Sequence, residues 1–492
     1  MADSRRASIR KIKNVNDLRR VLTYQTQVIY FLLSLLVAIL CTYWLRSPDF
    51  TPAQDYVLFL LFFSVGLWVT EAIPPFAVGI LIVGYLVFFL GSVSQGTTTG
   101  GAELNVQKFV STWSNSVIWL ILGGFFLAEG MRKTGVDRDV FRFTLTKLGP
   151  TPACILLSVM LSTALASMLM SNTATTAMML AATAPIVTKY GATHPFGKAV
   201  LLSIPIAASI GGMGTIIGSP PNAIAAEALN TAKALPFQVG FLEWLMVGFP
   251  VALVLTLILW KLLLRKFPIG DLQIDLADMT ASPEQPATTI FDEIEHRIHK
   301  QIVLITLLTT LLLWLTGRWH GIPPAAVSGI PIIVFTMVSI ITGEDVRQLP
   351  WDTLMLVAGG LSLGLAIQDT QLSNYFVIQI QHLHIPNGLI VGVFALTTVV
   401  FSNIMSNTAT ATILIPVAAL WPELPPAILP LVIGLSASCA LFLPVSTPPN
   451  AIVFSTGLVK QEDFRFGGWI VGLLGPALVI AWVMLLMQIW GN

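Results

Sequence analysis

Two stretches of this chain lack any charged side chain and yet carry a cluster of polar residues near their centre. Neither Thr151–Thr188 nor Thr370–Pro422 contains Asp, Glu, Lys or Arg. The tripeptide Ser-Asn-Thr occurs once in each stretch, at Ser171–Thr173 and at Ser406–Thr408. A polar group without a partner in hydrocarbon costs several kcal/mol. The repeated use of three polar residues in this setting therefore predicts two halves of one binding site.

A single tripeptide of this kind has a simpler explanation, because polar side chains also form hydrogen bonds between membrane helices, worth roughly 0.6–2 kcal/mol each. The second copy weakens that explanation. So does the sequence Pro-Pro-Asn-Ala-Ile that follows each copy, at Pro220–Ile224 and at Pro448–Ile452. We therefore favour a binding role over helix packing alone.

The composition indicates a polytopic, all-α membrane protein. Hydrophobic residues make up 55% of the chain and charged residues only 10%, whereas soluble domains carry roughly 25% charged residues. At about 20 residues per span, the length allows on the order of ten to twelve crossings. The net charge of +1 gives no sign of a nucleic-acid partner. Cys41, Cys154 and Cys439 lie in apolar runs without paired spacing, which argues against a disulfide framework or a metal cluster.

The distribution of charge predicts the orientation of the chain. Residues 1–20 are rich in Arg and Lys, so the positive-inside rule places the N-terminus in the cytoplasm, before a first span from about Val28 to Leu45. The Gly- and Thr-rich segment 92–112 is predicted to be a loop. Two histidines, His296 and His299, lie in the charged segment 267–300, where a solvated loop is a better interpretation than a metal site.

Both polar tripeptides are predicted to interrupt helices. Ser, Asn and Thr are poor in helix interiors and favourable at N-caps, so a helical hairpin with the tripeptide at its tip fits better than one long helix. Each Pro-Pro pair should unwind its own span locally. The new helix N-termini attract anions and the new C-termini attract cations.

The second half of the chain repeats the landmarks of the first in the same order, which predicts an internal repeat. The matched pairs are Ile73–Pro75 with Ile322–Pro324, Gly123–Gly124 with Gly359–Gly360, Ser171 with Ser406, and Ser219–Ile224 with Thr447–Ile452. The predicted parts are residues 1–54 (cytoplasmic N-terminus and first span), 55–266 (first repeat), 267–300 (charged connector) and 301–492 (second repeat). If each repeat has an odd number of crossings, the two are inverted, as in many secondary transporters.

The absence of fixed cations in the two polar stretches predicts cation coupling. Moving one charge across about 100 mV costs roughly 2.3 kcal/mol, so a dianion entering a negative cell costs about 4.6 kcal/mol. Cotransported cations offset that cost, and two half-sites suit at least two of them.

An enzymatic alternative rests on Gly360–Gly364, which matches the nucleophile-elbow pattern around Ser362. A serine hydrolase also needs a histidine partner, and His194, His320, His382 and His384 all lie near predicted loops or turns. The matching first-half position is occupied by phenylalanine, so Ser362 is not repeated. We therefore predict close helix packing around Ser362 and no enzyme activity.

Taken together, the two Ser-Asn-Thr tripeptides, Thr70–Pro74, Gly218–Ile224 and Thr447–Ile452 resemble the divalent anion/sodium symporter family, and most closely its INDY-type di- and tricarboxylate transporters. The resemblance covers essentially residues 55–490. It implies a homodimer in the cell membrane, with eleven spans and two re-entrant hairpins in each protomer. It also implies a scaffold domain, a transport domain that moves by an elevator mechanism, sodium coupling, and substrates such as succinate, malate, fumarate or citrate.

The resemblance also implies roles for individual residues. It assigns the first sodium site to Ser167, Ser171, Asn172 and Gly218. It assigns the second to Ser402, Asn407 and the backbone at Met405 and Ser446. It assigns the substrate carboxylates to Asn172, Thr173, Ser219, Asn407, Thr408 and Thr447.

Two departures from the family pattern concern the second sodium site. Ser402 stands where Thr is expected and Ser446 where Ala is expected, although both keep an oxygen available. Sodium-independent exchangers and sulfate or citrate carriers of the same family remain alternatives. A channel is a further alternative, distinguished by currents far above carrier turnover.

Overall fold

The computed structural model of the protein describes residues 15–96, 106–191, 194–268, 290–372, 375, 386–418 and 424–490. Within these ranges the protein is helical and contains no β-strand, which confirms the all-α prediction. The helices up to the connector are α1 (Val15–Leu45), α2 (Pro52–Thr70), α3 (Pro75–Gly96), α4 (Gln107–Ser111), α5 (Ser116–Thr134), α6 (Val136–Leu148), α7 (Pro152–Ser167), α8 (Asn172–Tyr190), α9 (Pro195–Gly212), α10 (Pro220–Thr231) and α11 (Phe241–Lys266).

The remaining helices follow the same plan, in which long apolar helices alternate with short ones. They are α12 (Ile290–Leu315), α13 (Gly317–His320), α14 (Pro324–Val327), α15 (Gly329–Met337), α16 (Gly343–Arg347), α17 (Trp351–Asp369), α18 (Asn387–Ile404), α19 (Asn407–Ala418), α20 (Ile428–Ser436), α21 (Pro448–Ser455) and α22 (Gln461–Trp490). Short 3₁₀ turns at Thr112–Ser114 and Ala437–Cys439 continue α4 and α20.

Among the described residues, eight helices are long and apolar enough to cross a membrane. These are Gln25–Leu45, Pro52–Thr70, Gln107–Thr134, Pro195–Gly212, Phe241–Lys266, Glu293–Leu315, Trp351–Asp369 and Gln461–Trp490. Several shorter apolar helices accompany them, including Pro152–Ser167 before the first tripeptide and Gly388–Ile404 and Asn407–Ala418 around the second. The protein is therefore a polytopic membrane protein, while the number of eleven spans stays a prediction.

Two predicted boundaries need correction. The segment 92–112 is not a loop throughout, because α3 continues to Gly96 and α4 begins at Gln107. Residues 97–105 lie outside the described residues. The solvated loop predicted around His296 and His299 is a helix, since α12 begins at Ile290. The basic residues 1–14 and the histidines at 382 and 384 also lie outside the described residues.

The described residues form two compact units. The first contains the residues up to Thr112 together with Ala358–Tyr375, and the second contains Trp113–Val357 and the described residues after Tyr375. Both candidate tripeptides and both Pro-Pro segments belong to the second unit. The division into repeats that the sequence predicts concerns sequence landmarks and stays a prediction.

Ser362 lies in the first unit and is fully buried. Its hydroxyl forms hydrogen bonds with the Thr112 hydroxyl, at 2.8 Å, and with the Phe109 carbonyl, at 2.9 Å. Ser362 thus joins α17 to the end of α4, as expected for a packing residue.

Close backbone contact fixes glycine at position 359. A Cβ atom on Gly359 would lie 2.3 Å from the Cα of Gly79, so α17 and α3 meet almost backbone to backbone. Such contacts are typical of membrane helices, which gain van der Waals packing and not hydrophobic burial when they associate.

We predict that Gly359→Ala lowers the melting temperature of the purified protein in detergent, because the added methyl group must separate α17 from α3. In a helix interior, Gly→Ala otherwise stabilises by about 0.8–1 kcal/mol. Gly392→Ala is the matched control, since nothing lies within 4 Å of its new Cβ. An equal rise in melting temperature for both variants would contradict the close contact.

Candidate functional site

Both Ser-Asn-Thr tripeptides lie at a break between two helices. The first break separates α7 from α8, and the Ser171 hydroxyl caps α8 by accepting a hydrogen bond from the Ala174 amide at 3.2 Å. The second separates α18 from α19, where the Ser406 hydroxyl accepts from the Ala409 amide at 3.1 Å. Serine is among the best N-cap residues. Each tripeptide therefore starts a helix at a place where the preceding helix has ended.

The first break brings Ser167 and Asn172 together. The Ser167 hydroxyl lies 2.6 Å from Oδ1 of Asn172 and 2.7 Å from the carbonyl oxygen of Ala208. A hydroxyl has one proton, so it can donate to only one of these acceptors at a time. When it donates to Ala208, the Ser167 and Asn172 oxygens face each other without a proton between them. A monovalent cation bound to both oxygens would relieve their repulsion, so these residues fit the predicted sodium site.

Glycine at two positions makes room for this arrangement. A Cβ atom on Gly212 would lie 2.3 Å from Oδ1 of Asn172, so any larger residue would displace the asparagine side chain from this position. A Cβ atom on Gly218 would lie 2.5 Å from the Gly212 carbonyl oxygen and 3.0 Å from that of Ser167. The structure thus brings Ser167, Asn172 and Gly218 close together, beside the carbonyl oxygens of Ser167 and Gly212.

The second break contains buried oxygens without a partner. The Ser402 hydroxyl and Oδ1 of Asn407 are both buried and form no hydrogen bond with the described residues. Met405, which lies between these two residues in the sequence, has an extended backbone conformation and is also buried. Buried polar atoms are almost always paired, and an ion is one recognised reason for an exception. These orphaned oxygens therefore fit a cation.

The sequence suggested that the hydroxyl of Ser446 is available to a cation, but in the structure this hydroxyl forms hydrogen bonds within the protein. It accepts from the Leu443 amide at 2.8 Å and lies 2.9 Å from Oδ1 of Asn403. The side chain is therefore engaged within the loop before α21, and only the backbone carbonyl of Ser446 remains as the group predicted for the second cation.

The residues predicted to hold the substrate carboxylates differ in exposure. Thr173 is exposed, Asn172, Asn407 and Thr408 are half-buried, and Ser219 and Thr447 are buried. Thr447 caps α21 weakly, accepting from the Asn450 amide at 3.4 Å, whereas the Ser219 side chain makes no capping bond to α10. The hydroxyl of Ser219 is thus left for another partner.

Two asparagines of the repeated Pro-Pro-Asn sequence hold the unwound segments and were not singled out from the sequence. Asn222 donates from Nδ2 to the carbonyl oxygens of Gly212, at 2.9 Å, and Thr215, at 2.7 Å. Asn450 donates in the same way to Leu441, at 3.2 Å, and Leu443, at 2.9 Å. The repetition of the Pro-Pro-Asn motif is the sequence signal that could have identified these two asparagines. Both side chains pair carbonyls that the helix break has released.

The helices that start at the candidate site pack crosswise. Helix α8 begins within the first tripeptide, at Asn172, and packs on α21, which begins with the second Pro-Pro pair. Helix α19 begins within the second tripeptide, at Asn407, and packs on α10, which begins with the first Pro-Pro pair. Each half of the chain therefore supplies one partner to each packed pair. Four helix N-termini belong to this arrangement, and each carries a partial positive charge that favours anions.

Comparison with known proteins points to membrane transport. A sequence profile of the family CitMHS, described as citrate transporter, matches residues 65–423. The sodium-dependent dicarboxylate transporter SdcS of Staphylococcus saprophyticus is 28% identical over 492 residues, which cover 94% of this chain and 91% of that protein. SdcS of Staphylococcus aureus is also 28% identical, over 495 residues, with 94% and 92% covered.

Two solved structures share the fold. The YdaH transporter of Alcanivorax borkumensis matches with a TM-score of 0.56 at 14% identity, over 84% of this chain and 98% of that one. MtrF of Neisseria gonorrhoeae, an antimetabolite efflux pump, matches with a TM-score of 0.50 at 13% identity, over 84% and 94%. At such low identity the likeness concerns the fold alone.

We predict that Asn222→Leu destabilises the protein, because it leaves the buried carbonyls of Gly212 and Thr215 without their side-chain donor. Each unsatisfied buried group costs about 1–3 kcal/mol, so the melting temperature in detergent should fall by several degrees. Thr183→Val is the matched control. Its buried hydroxyl bonds only to carbonyls of its own helix. Similar melting temperatures for the two variants would contradict the role of Asn222.

Proposed function

The chain belongs to the citrate transporter family, and on this premise we propose that it is a secondary active transporter that couples sodium entry to the uptake of C4-dicarboxylates such as succinate, malate and fumarate. The protein is a multi-pass protein of the cell membrane and a transporter rather than an enzyme. Both SdcS relatives are named as sodium-dependent dicarboxylate transporters, which supports the proposed substrate and coupling ion.

The observation that carries this proposal is the pair of helix breaks, each with buried side-chain oxygens in a stretch free of Lys and Arg. A dicarboxylate can be held there by hydroxyl and amide donors and by helix N-termini, but not by a fixed positive charge. Bound cations supply the missing charge and reduce the cost of moving a dianion against the membrane potential. One cation at each break gives the minimum coupling of two.

In this proposal, Ser167, Ser171, Asn172 and Gly218 hold one sodium ion, and Ser402, Met405, Asn407 and Ser446 hold the other. The carboxylates contact Asn172, Thr173, Ser219, Asn407, Thr408 and Thr447. The cross-packing of α8 with α21 and of α10 with α19 supports a shared site for both halves. We further propose inverted repeats, re-entrant hairpins, a homodimer and an elevator-type movement, with the N-terminus in the cytoplasm.

The direct test is uptake of radiolabelled succinate by the purified protein in proteoliposomes, with and without an inward sodium gradient. We expect uptake only with sodium, with a sigmoidal dependence on its concentration, and competition by related dicarboxylates more than by sulfate. Uptake that needs internal succinate but not sodium would show that the protein is an exchanger and not a sodium symporter.

Two variants and one control tie the activity to the site. Asn172→Ala and Asn407→Ala each remove a proposed ligand of both sodium and substrate, so we expect uptake to fall by at least about tenfold. Ser362→Ala alters only a packing contact outside the second unit and should retain most of the uptake. The opposite pattern would favour an intramembrane enzyme using Ser362.

A further inference from the structure

The two unwound segments are fastened to their hairpins by different chemistry. In the first half, the Thr215 hydroxyl accepts from the Gly218 amide at 3.1 Å and donates to the carbonyl oxygen of Met168. The donor side chain thus belongs to the unwound segment and the acceptor to the hairpin backbone. Met168 directly follows Ser167, a proposed cation ligand, so this bond joins the two walls of the first cation site.

The second half reverses the direction of this connection. Asn403 lies in the last turn of α18, directly after Ser402, and its Oδ1 accepts from the Phe442 amide and from the Ser446 hydroxyl, both at 2.9 Å. Here the side chain belongs to the hairpin and the donors belong to the unwound segment. Asn403 occupies the position that corresponds to Met168 when the two tripeptides are aligned.

Asn403 adds to the side-chain hydrogen bonds that hold the segment before α21. Asn450 holds the carbonyls of Leu441 and Leu443, and the Ser446 hydroxyl accepts from the Leu443 amide. Asn403 holds a further amide of the segment, that of Phe442. Removing the Asn403 oxygen therefore releases the Phe442 amide and leaves the Ser446 hydroxyl with the Leu443 carbonyl, at 2.9 Å, as its acceptor, so that the contact between α18 and this segment is lost.

We propose that Asn403 is a positioning residue for the second cation site: it holds the unwound segment 442–446 against the hairpin tip and so fixes the distance between the ligands on the two walls. The proposal rests on the proposed sodium-coupled function. Thr215 does the same at the first site. Neither side chain touches the cation, and neither was singled out from the sequence.

The physical reason is preorganisation. A sodium ion at the second site takes ligands from Ser402, Met405 and Asn407 on one wall and from Ser446 on the other. The ion binds more weakly when part of its binding free energy is used to bring the two walls together. Groups that orient metal ligands typically change metal affinity by about 10- to 100-fold when removed, and that is the effect expected here.

The central variant is Asn403→Leu, which keeps the size of the side chain but removes the acceptor oxygen. We expect the sodium concentration for half-maximal succinate uptake to rise at least about tenfold, while the KM for succinate at saturating sodium changes less than about threefold. Asn403→Asp keeps both acceptor bonds and should restore much of the sodium affinity. A purely structural role would instead lower uptake at every sodium concentration.

A second readout is independent of transport. Sodium stabilises the folded protein by mass action, so the melting temperature of the purified protein in detergent should rise with sodium concentration. Asn403→Leu should shift the midpoint of that rise to higher sodium by a similar factor. If Asn403→Leu is not monodisperse, Asn403→Ser replaces it, because its hydroxyl is too short to reach Phe442.

The first half provides a separate pair of variants. Thr215→Val removes the hydroxyl at constant shape and should also shift sodium dependence, whereas Thr215→Ser keeps the hydroxyl and should not. Thr398→Val is the matched control for Asn403. It lies on the same helix, is fully buried where Asn403 is half-buried, and its hydroxyl bonds to the Phe394 carbonyl of its own helix.

The outcomes separate the inference from the proposed function. If the unmodified protein takes up succinate without sodium, the proposed coupling is wrong. If its uptake requires sodium but Asn403→Leu leaves both the uptake curve and the melting midpoint unchanged, the positioning role of Asn403 is wrong. A shift of the same size in Thr398→Val would also overturn it.

Discussion

Every backbone amide and carbonyl released at a break in a membrane helix must find a new partner, because hydrocarbon offers none. In this protein backbone turns supply some of the partners, and side chains supply others. Asn222 and Asn450 each hold two carbonyls of an unwound segment, while Thr215 and Asn403 join those segments to the C-terminal ends of α7 and α18. The breaks are thus stable structures with defined geometry, and each break can present its tripeptide to a ligand.

The same requirement explains why the region is polar without being charged. A buried lysine or arginine could neutralise a carboxylate, but it would have to be paired in every state of a transport cycle. Hydroxyl and amide groups can accept or donate according to their partner. The oxygens of Ser167, Asn172, Ser402 and Asn407 can therefore face a cation, while amides and hydroxyls nearby face an anion. In our proposal, charge balance comes from sodium and not from the protein.

The two halves reach similar geometry with different residues. The paired asparagines act alike in both halves, but the connecting side chains differ. Thr215 of the first unwound segment donates to Met168 after α7, whereas Asn403 of α18 accepts from Ser446 of the second unwound segment. The oxygens of the first site lie against each other, whereas those of the second have no partner among the described residues. We therefore expect the proposed cation sites to be similar in position and unequal in affinity.

Much of this arrangement could be predicted from the sequence, because helix breaks follow from local chemistry. Proline pairs and Ser-Asn-Thr at a cap position are readable without tertiary information, and both breaks lie where they were expected. The contacts of Asn403 and Thr215 could not be predicted, since they join residues about 40 positions apart and differ between the halves. The helical ends of 92–112 were also missed, because glycine-rich composition does not show where neighbouring helices extend their last turn.

The account depends on one shared site to which both tripeptides contribute. The most direct measurement is a cryo-EM map of the full-length protein in lipid nanodiscs with sodium and succinate. We predict succinate density in contact with residues of both tripeptides, and ion density beside Ser167 and Asn172 and beside Ser402 and Asn407. Succinate bound to one tripeptide alone, or at a place remote from both, would contradict the central claim.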